Sequence, residues 1–286
     1  MRTLKNASII LGKTILLVIL FLVTFIMLSV LAGRVISVGS VDQSFIQKAT
    51  FIVQTVSVIL SILMIYMIFD QKRDLYLGWG QPNKFKDLLE GCLWGIGCIT
   101  ATFFIIWVLR GIKISSFSFE KSTLASMLFP LVLYMFVSVN EELLTRGYLY
   151  GLIKRDFGTI SSIIITSILF SLLHIGNPNI LQNPLPLTNL FLAGILFGVA
   201  REASGGLWVP IGLHFTWNFF LGNIYGLAVS GMDIGQSIIK TELVGHPLIN
   251  GGGFGPEGSI IASLVIVVFS VVIWKRYRNR KLHKSI

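Results

Sequence analysis

Charge is scarce in this chain. Of its 286 residues only 13% are Asp, Glu, Lys or Arg, against roughly 25% in a soluble domain. With 54% hydrophobic residues, a water-soluble globule would have too little polar side chain to cover itself. The mean hydropathy of +0.80 makes lipid the solvent that fits. Acidic residues are scarcer still, 13 against 23 basic ones, for a net charge of +10. The basic residues lie between and after apolar runs, so they report membrane topology and not nucleic-acid binding. Cysteine is nearly absent. Cys92 and Cys98 lie six residues apart in one apolar stretch, where helical geometry turns them away from each other. This excludes a disulfide and leaves two small core residues. No internal repeat and no soluble domain is visible. The N-terminal apolar run, about 20 residues, is too long for the roughly 7–15-residue core of a signal peptide. It reads as a retained first helix.

What is present is a series of apolar segments, each near the ~20 residues that cross a bilayer as a helix. Eight are expected, at about 14–32, 49–69, 88–109, 123–155, 159–175, 187–201, 207–221 and 259–274. The expected fold is all-α, a polytopic membrane helix bundle of about eight transmembrane helices, forming a single membrane domain over 1–286. Within it, 122–221 is the expected motif-bearing core and 275–286 a basic cytosolic tail for anionic headgroups. The polar stretch at 70–87 has the cast of an interfacial helix. The loop at 222–258, with its GGGFGP run, reads as polar and flexible. With the N-terminus inside, seventeen basic residues fall on the inner side and six on the outer. The positive-inside rule therefore puts both termini in the cytosol.

Three polar motifs interrupt the apolar sequence, and ionisable groups in a span are costly and usually functional. The first is Glu141-Glu142-Leu143-Leu144-Thr145-Arg146. Neither Pro nor Gly interrupts 131–146, so Glu142 and Arg146 should pair across one helical turn. Two adjacent carboxylates, one anchored by a guanidinium, can supply a general base. The second is Phe170-Ser171-Leu172-Leu173-His174. If the chain reverses at Asp156–Thr159, Glu141 lies fifteen residues before the turn and His174 fifteen after it. At 1.5 Å per residue both stand about 22 Å from the turn, level across an antiparallel pair. The third is His214-Phe215-Thr216-Trp217-Asn218, where His and Asn share a helix face. The imidazole can act as acid, base or ligand, and the amide can donate to an oxyanion. Taken singly, each motif also suits a helix cap, a surface ion pair or an interhelical hydrogen bond. Together they place two carboxylates, an Arg, two His and an Asn on three apolar helices. A two-His, one-Glu set suits zinc as well, but the HExxH helix is missing. His246 and His283, in the loop and the tail, read as non-catalytic.

These motifs resemble those of the CPBP (Abi) family, which comprises type II CAAX prenyl endopeptidases and bacteriocin-processing and immunity membrane proteins. EELLTR resembles its EExxxR motif, FSLLH its FxxxH motif and HFTWN its HxxxN motif. The order and spacing agree from Glu141 to Asn218. Outside that segment only LGWG at 77–80 has a similar character. The resemblance implies a bacterial cell-membrane endopeptidase with its site in a cavity among the fourth to seventh helices. Glu141 and His174 would activate water, His214 and Asn218 would hold the oxyanion, and Glu142 and Arg146 would organise Glu141. It leaves the cofactor open between Zn2+, held by Glu141, His174 and His214, and a metal-independent glutamate mechanism. The implied partners are a peptide, lipidated protein or bacteriocin-type precursor and membrane lipids, with no nucleic acid. Oligomeric state is not legible. Two other classes share the motifs: a non-catalytic immunity or interaction protein, and a proton-coupled transporter. The latter predicts inverted repeats, which the halves do not show.

Overall fold

The computed structural model describes residues 2–36, 43–71, 75–233 and 235–283, and 77% of it is helical. Hydrocarbon offers the backbone no hydrogen-bond partner, so apolar runs satisfy themselves as helices. In chain order these are α1 (Arg2–Ile36), α2 (Gln43–Phe69), α3 (Lys84–Val108), α4 (Lys121–Ser126), α5 (Leu128–Glu142), α6 (Tyr150–Leu173), α7 (Leu185–Ser204), α8 (Trp208–Phe219), α9 (Pro247–Asn250) and α10 (Ile260–His283). A strand pair absent from the expected all-α reading joins β1 (Ile112–Phe117) to β2 (Ile239–Leu243). It is antiparallel, with Ile112 opposite Leu243 and Phe117 opposite Ile239.

Among the described residues, six helices are long and apolar enough to cross a membrane. Eight spans were expected, and the difference has two sources. The expected fourth and fifth spans form one helical stretch, Lys121–Leu173, folded back at Gly158. There φ is 80° and ψ 175°, a conformation open to glycine and costly for other residues. The reversal falls inside the expected 156–159 turn. The expected seventh span is α8, only 12 residues long before it passes into a π-helical segment, Phe220–Ile224.

α8 is held deep in the protein by α3, and glycine makes that contact possible. A Cβ on Gly91 would lie 2.2 Å from Val209 O, one on Gly95 2.3 Å from Leu213 O, and one on Gly212 2.3 Å from Leu88 O. Gly91 and Gly95 form a small-xxx-small face of the kind that lets membrane helices touch backbone to backbone. Thr216 Oγ1 completes the contact by donating to Cys92 O at 2.9 Å. Both cysteines are free thiols, and Cys98 lies in the core shared by α3, α7, α8 and α10. A second, smaller core joins Leu17, Ile62 and Ile65 of the first two helices to Leu143 and Tyr148. α1 and α2 are antiparallel: Thr24 meets Ser61 at 3.1 Å, and Lys13 pairs with Asp70. Elsewhere they present apolar side chains outward.

Two loops depart from expectation. Residues 75–83 are irregular, not an interfacial helix. Gly78, Gly80 and Pro82 disfavour helix, and the segment is tied inward instead. Gly78 O accepts from Leu207 N at 3.0 Å, and Trp208 Nε1 donates to Trp79 O at 3.1 Å. Residues 251–258, read as flexible, are largely buried, with Phe254 in the core. Their glycines serve close approach: Gly251 (φ 86°) and Gly255 (φ 89°) would clash with Gly255 O and Ala228 O if they carried a Cβ. The side chains of 279–283, including His283, lie outside the described residues.

Candidate active site

The first motif does not sit on an unbroken α-helix. α5 ends at Glu142, and Leu143–Leu149 form a π-helical turn, a distortion frequent at functional sites. Thr145 Oγ1 donates to Glu141 O at 2.5 Å. Arg146 is wholly buried. Its Nη1 donates to Glu142 Oε1 at 3.1 Å and to Thr145 Oγ1 at 2.7 Å, and Nη2 donates to Gly194 O at 3.0 Å. The guanidinium lies between two rings, 4.5 Å from the centre of Phe170 and 5.2 Å from that of Phe197. A guanidinium stripped of water is stable in such a setting because carboxylate, carbonyl and π-faces replace the solvent. Gly194 can contribute its carbonyl because α7 passes so close to α6 that a Cβ there would meet Ser167 Cα at 2.7 Å.

The structure brings all three motifs together. Glu142 Oε1 also lies 3.0 Å from His214 Nδ1, and His174 Nδ1 lies 2.8 Å from Phe170 O. Both partners only accept hydrogen bonds, so each neutral imidazole carries its proton on Nδ1 and turns a bare Nε2 the other way. Those two Nε2 atoms face one point. Each is 3.9 Å from Glu141 Oε2, which is buried and has no hydrogen-bond partner among the described residues. Phe197 stacks on the His214 ring, with centres 4.8 Å apart and planes 15° apart. Glu141 and His174 thus meet across the Gly158 hairpin, as their matched distances from the ends of the 156–159 turn led one to expect.

Glu141, His174, His214 and Asn218 line one cavity of about 370 Å³. Asn218 lies one turn beyond His214 on α8 and is buried. The walls extend beyond the expected fourth to seventh helices. Leu17 and Phe21 of α1 and Phe51, Gln54 and Val58 of α2 close one side, and Glu257 lies in the lining as well. Asn140 and Tyr134 also line it, each with a buried oxygen lacking a partner among the described residues. The sequence motifs did not mark them. Tyr134 and Asn140 could have been found from their spacing before Glu141 on one helix, whereas Glu257 carries no motif. His246 caps α9 by accepting from Leu248 N at 3.2 Å and takes no part in the cavity.

The fit of a metal can be judged from the donors. Both imidazoles are oriented through Nδ1, as metal ligands are. The 3.9 Å separations exceed the ~3.3 Å between ligands of a tetrahedral zinc with bonds near 2.0–2.1 Å. No group of three or more His, Cys, Asp or Glu among the described residues is arranged to hold a metal ion. The residues as placed do not form a zinc site.

A helical membrane bundle with a buried cluster of carboxylate, imidazole and amide defines the class: a multi-pass integral membrane protein with a buried polar site. Residues 122–220, about a third of the chain, match the family model described as type II CAAX prenyl endopeptidase Rce1-like, a model of the CPBP family. That match supports a CAAX-type intramembrane protease in general. The chain is also 28% identical, over 163 residues, to an Escherichia coli protein described as an uncharacterized 24.3 kDa protein. The match spans 53% of this chain and 73% of that protein.

Proposed function

We propose that this protein is an endopeptidase that cleaves a membrane-associated or lipidated peptide, or a bacteriocin-type precursor, by a metal-independent glutamate mechanism. One observation carries the reading: Glu141 Oε2 and two bare imidazole nitrogens converge at 3.9 Å inside a mostly apolar cavity. Three acceptors with no donor among them suit a water molecule, which brings two protons.

In the proposed reaction, Glu141 takes one proton from that water, which His174 Nε2 holds by accepting its other O–H as a hydrogen bond, as the water oxygen bonds to the scissile carbonyl carbon. The carbonyl oxygen becomes an oxyanion. In the reacting state His214 holds a solvent-derived proton on Nε2, opposite the Nδ1 that faces Glu142, donates it as a hydrogen bond to that oxygen and keeps it through the cycle. The Asn218 amide donates alongside it. Collapse of the intermediate breaks the C–N bond, and the proton held by Glu141 passes to the leaving nitrogen. Glu142 and Arg146 act by holding His214 and the end of α5 in place. A dry surrounding strengthens each of these interactions. Both termini are proposed to face the cytosol, on the strength of the Lys and Arg distribution.

The test is a peptidase assay on purified protein with lipidated peptides, comparing wild type with Glu141→Ala and His174→Ala. Loss of turnover in both variants is expected, and equal turnover in all three would exclude the proposal.

A further inference from the structure

Glu257 is the one buried carboxylate lining the cavity that the proposed reaction leaves without a part. It lies outside the three motifs, on a 3-10 turn, Pro256–Gly258, and is 9% exposed. Both of its carboxylate oxygens are engaged. Oε1 accepts from Trp217 Nε1 at 2.9 Å. Oε2 accepts from the backbone N–H of Ser230 and from Ser230 Oγ, the latter at 3.1 Å. Trp217 is the residue just before Asn218 and three after His214, on the same helix. Ser230 leads to the other histidine: its carbonyl accepts from Asn177 Nδ2 at 2.9 Å, and Asn177 N donates to His174 O at 2.9 Å. An unbroken hydrogen-bonded chain therefore runs from α8 through Glu257, Ser230 and Asn177 to the end of α6.

The turn that presents Glu257 is itself fixed. Asn189 of α7 donates to the carbonyls of Glu257 and Ser259, both at 2.7 Å. Gly231 N donates to Phe254 O at 3.0 Å, and a Cβ on Gly231 would meet Pro178 O at 2.2 Å. The 177–180, 228–232 and 251–258 segments thus lock together over one end of the cavity. α6 and α8 bear opposite halves of the site. This capping assembly ties them where the ends of both helices converge.

We propose that Glu257 is a positioning residue for the reaction, fixing the separation between His174 and the His214/Asn218 face by holding Trp217 and Ser230 at once. It touches no reacting atom. This inference rests on the endopeptidase reading for its kinetic consequence, though not for its structural one.

The experiment combines steady-state kinetics with distances between spin labels at Leu172→Cys, on α6, and Phe219→Cys, on α8. The labelled background is Cys92→Ser/Cys98→Ala, chosen to retain wild-type turnover. Glu257→Ala should lower kcat about 10²-fold, as a displacement near 1 Å does, with KM unchanged and with a broadened distance distribution. Glu257→Gln, which keeps one acceptor, should fall between it and wild type. Trp217→Phe should lower kcat as well, and combining it with Glu257→Ala should add little. If Glu257→Ala does not fold, Glu257→Gln and Trp217→Phe carry the same two readouts. Unchanged kcat overturns the proposal, and so does an unbroadened distribution. If wild type shows no Glu141-dependent cleavage, the endopeptidase reading fails. The width of the distribution then decides the role of Glu257 alone: broadening supports it and no change overturns it.

Discussion

His214 Nδ1 lies 3.0 Å from Glu142 Oε1, the oxygen that also receives Arg146 Nη1 at 3.1 Å. The second glutamate of the motif therefore serves the third motif. Its neighbour Glu141 is left unbonded at Oε2, facing the cavity. Adjacent carboxylates thereby take different duties, because one turns into the protein toward a cation and the other turns toward the reacting space.

Removing the base should be nearly complete in its effect. Glu141→Gln keeps the shape of the side chain and loses its basicity. Turnover should fall about 10²–10⁴-fold, the usual contribution of a positioned base, while the thermal unfolding temperature in detergent stays near that of wild type. A Glu141→Gln variant with wild-type kcat would remove Glu141 from the chemistry.

Asn218→Ala tests the oxyanion contact. The loss expected for one such donor is about 10²–10³-fold in kcat, with little change in KM, since the interaction forms only in the transition state. A rise in KM at constant kcat would mean that Asn218 binds substrate and not the intermediate.

Glu142→Ala and Arg146→Ala should each destabilise the fold by about 3–5 kcal/mol, because each leaves a buried charge unpaired. Unfolding in detergent measures this. Changing both residues to apolar ones should cost less than the sum of the single changes. Arg146→Lys should not rescue, since an ammonium cannot lie flat between Phe170 and Phe197 while reaching Gly194 O.

Chelation separates the two mechanisms that the family leaves open. With metal-free buffers and a strong chelator, purified protein should keep its turnover and contain no stoichiometric zinc by elemental analysis. Loss of turnover restored by Zn2+ would show that Glu141, His174 and His214 close in around an ion.

Glu257 gives a pH dependence. Burial pushes its carboxyl above the ordinary 4.5, against the hydrogen bonds from Ser230 and Trp217 and the attraction of His174. A group raised in the folded state contributes stability fully present below its unfolded value, and lost as pH rises through its folded value. Stability of wild type should therefore decline from about pH 4.5 upward through this group. Glu257→Gln should flatten that part of the curve, and an identical slope in both proteins would remove Glu257 as the source.

Much of this site was legible before any coordinates. The three motifs and the matched distances of Glu141 and His174 from a turn were enough to place those two residues side by side, because helix rise is constant. The Glu142–Arg146 pair followed from i,i+4 spacing. The role of Glu142 toward His214 did not follow, because it depends on how α8 is rotated against α5, and spacing along one chain says nothing of that. Glu257 was hidden for a different reason. Its loop is rich in glycine, which suggested flexibility. Here those glycines are where backbones touch, and Phe254 among them is core. In sequence the short α8 reads as a full span because its apolar run continues into the π-helical Phe220–Ile224, and Gly91 and Gly95, which hold it, read only as small residues in an apolar helix.

The Gly158 hairpin sets a rule on chain length. Glu141 stands 17 residues before Gly158 and His174 stands 16 after it. The π-helical turn at Leu143–Leu149 lies in the longer limb, where i→i+5 bonding seats one more residue per turn than an α-helix does. The two limbs thus reach the same depth with unequal counts. A single insertion or deletion between Glu141 and His174 would move one of them about 1.5 Å along its axis and about 100° around it, turning a site residue toward lipid. The interval of 33 residues between the two therefore works as a fixed ruler, which substitutions leave intact and a change of length does not.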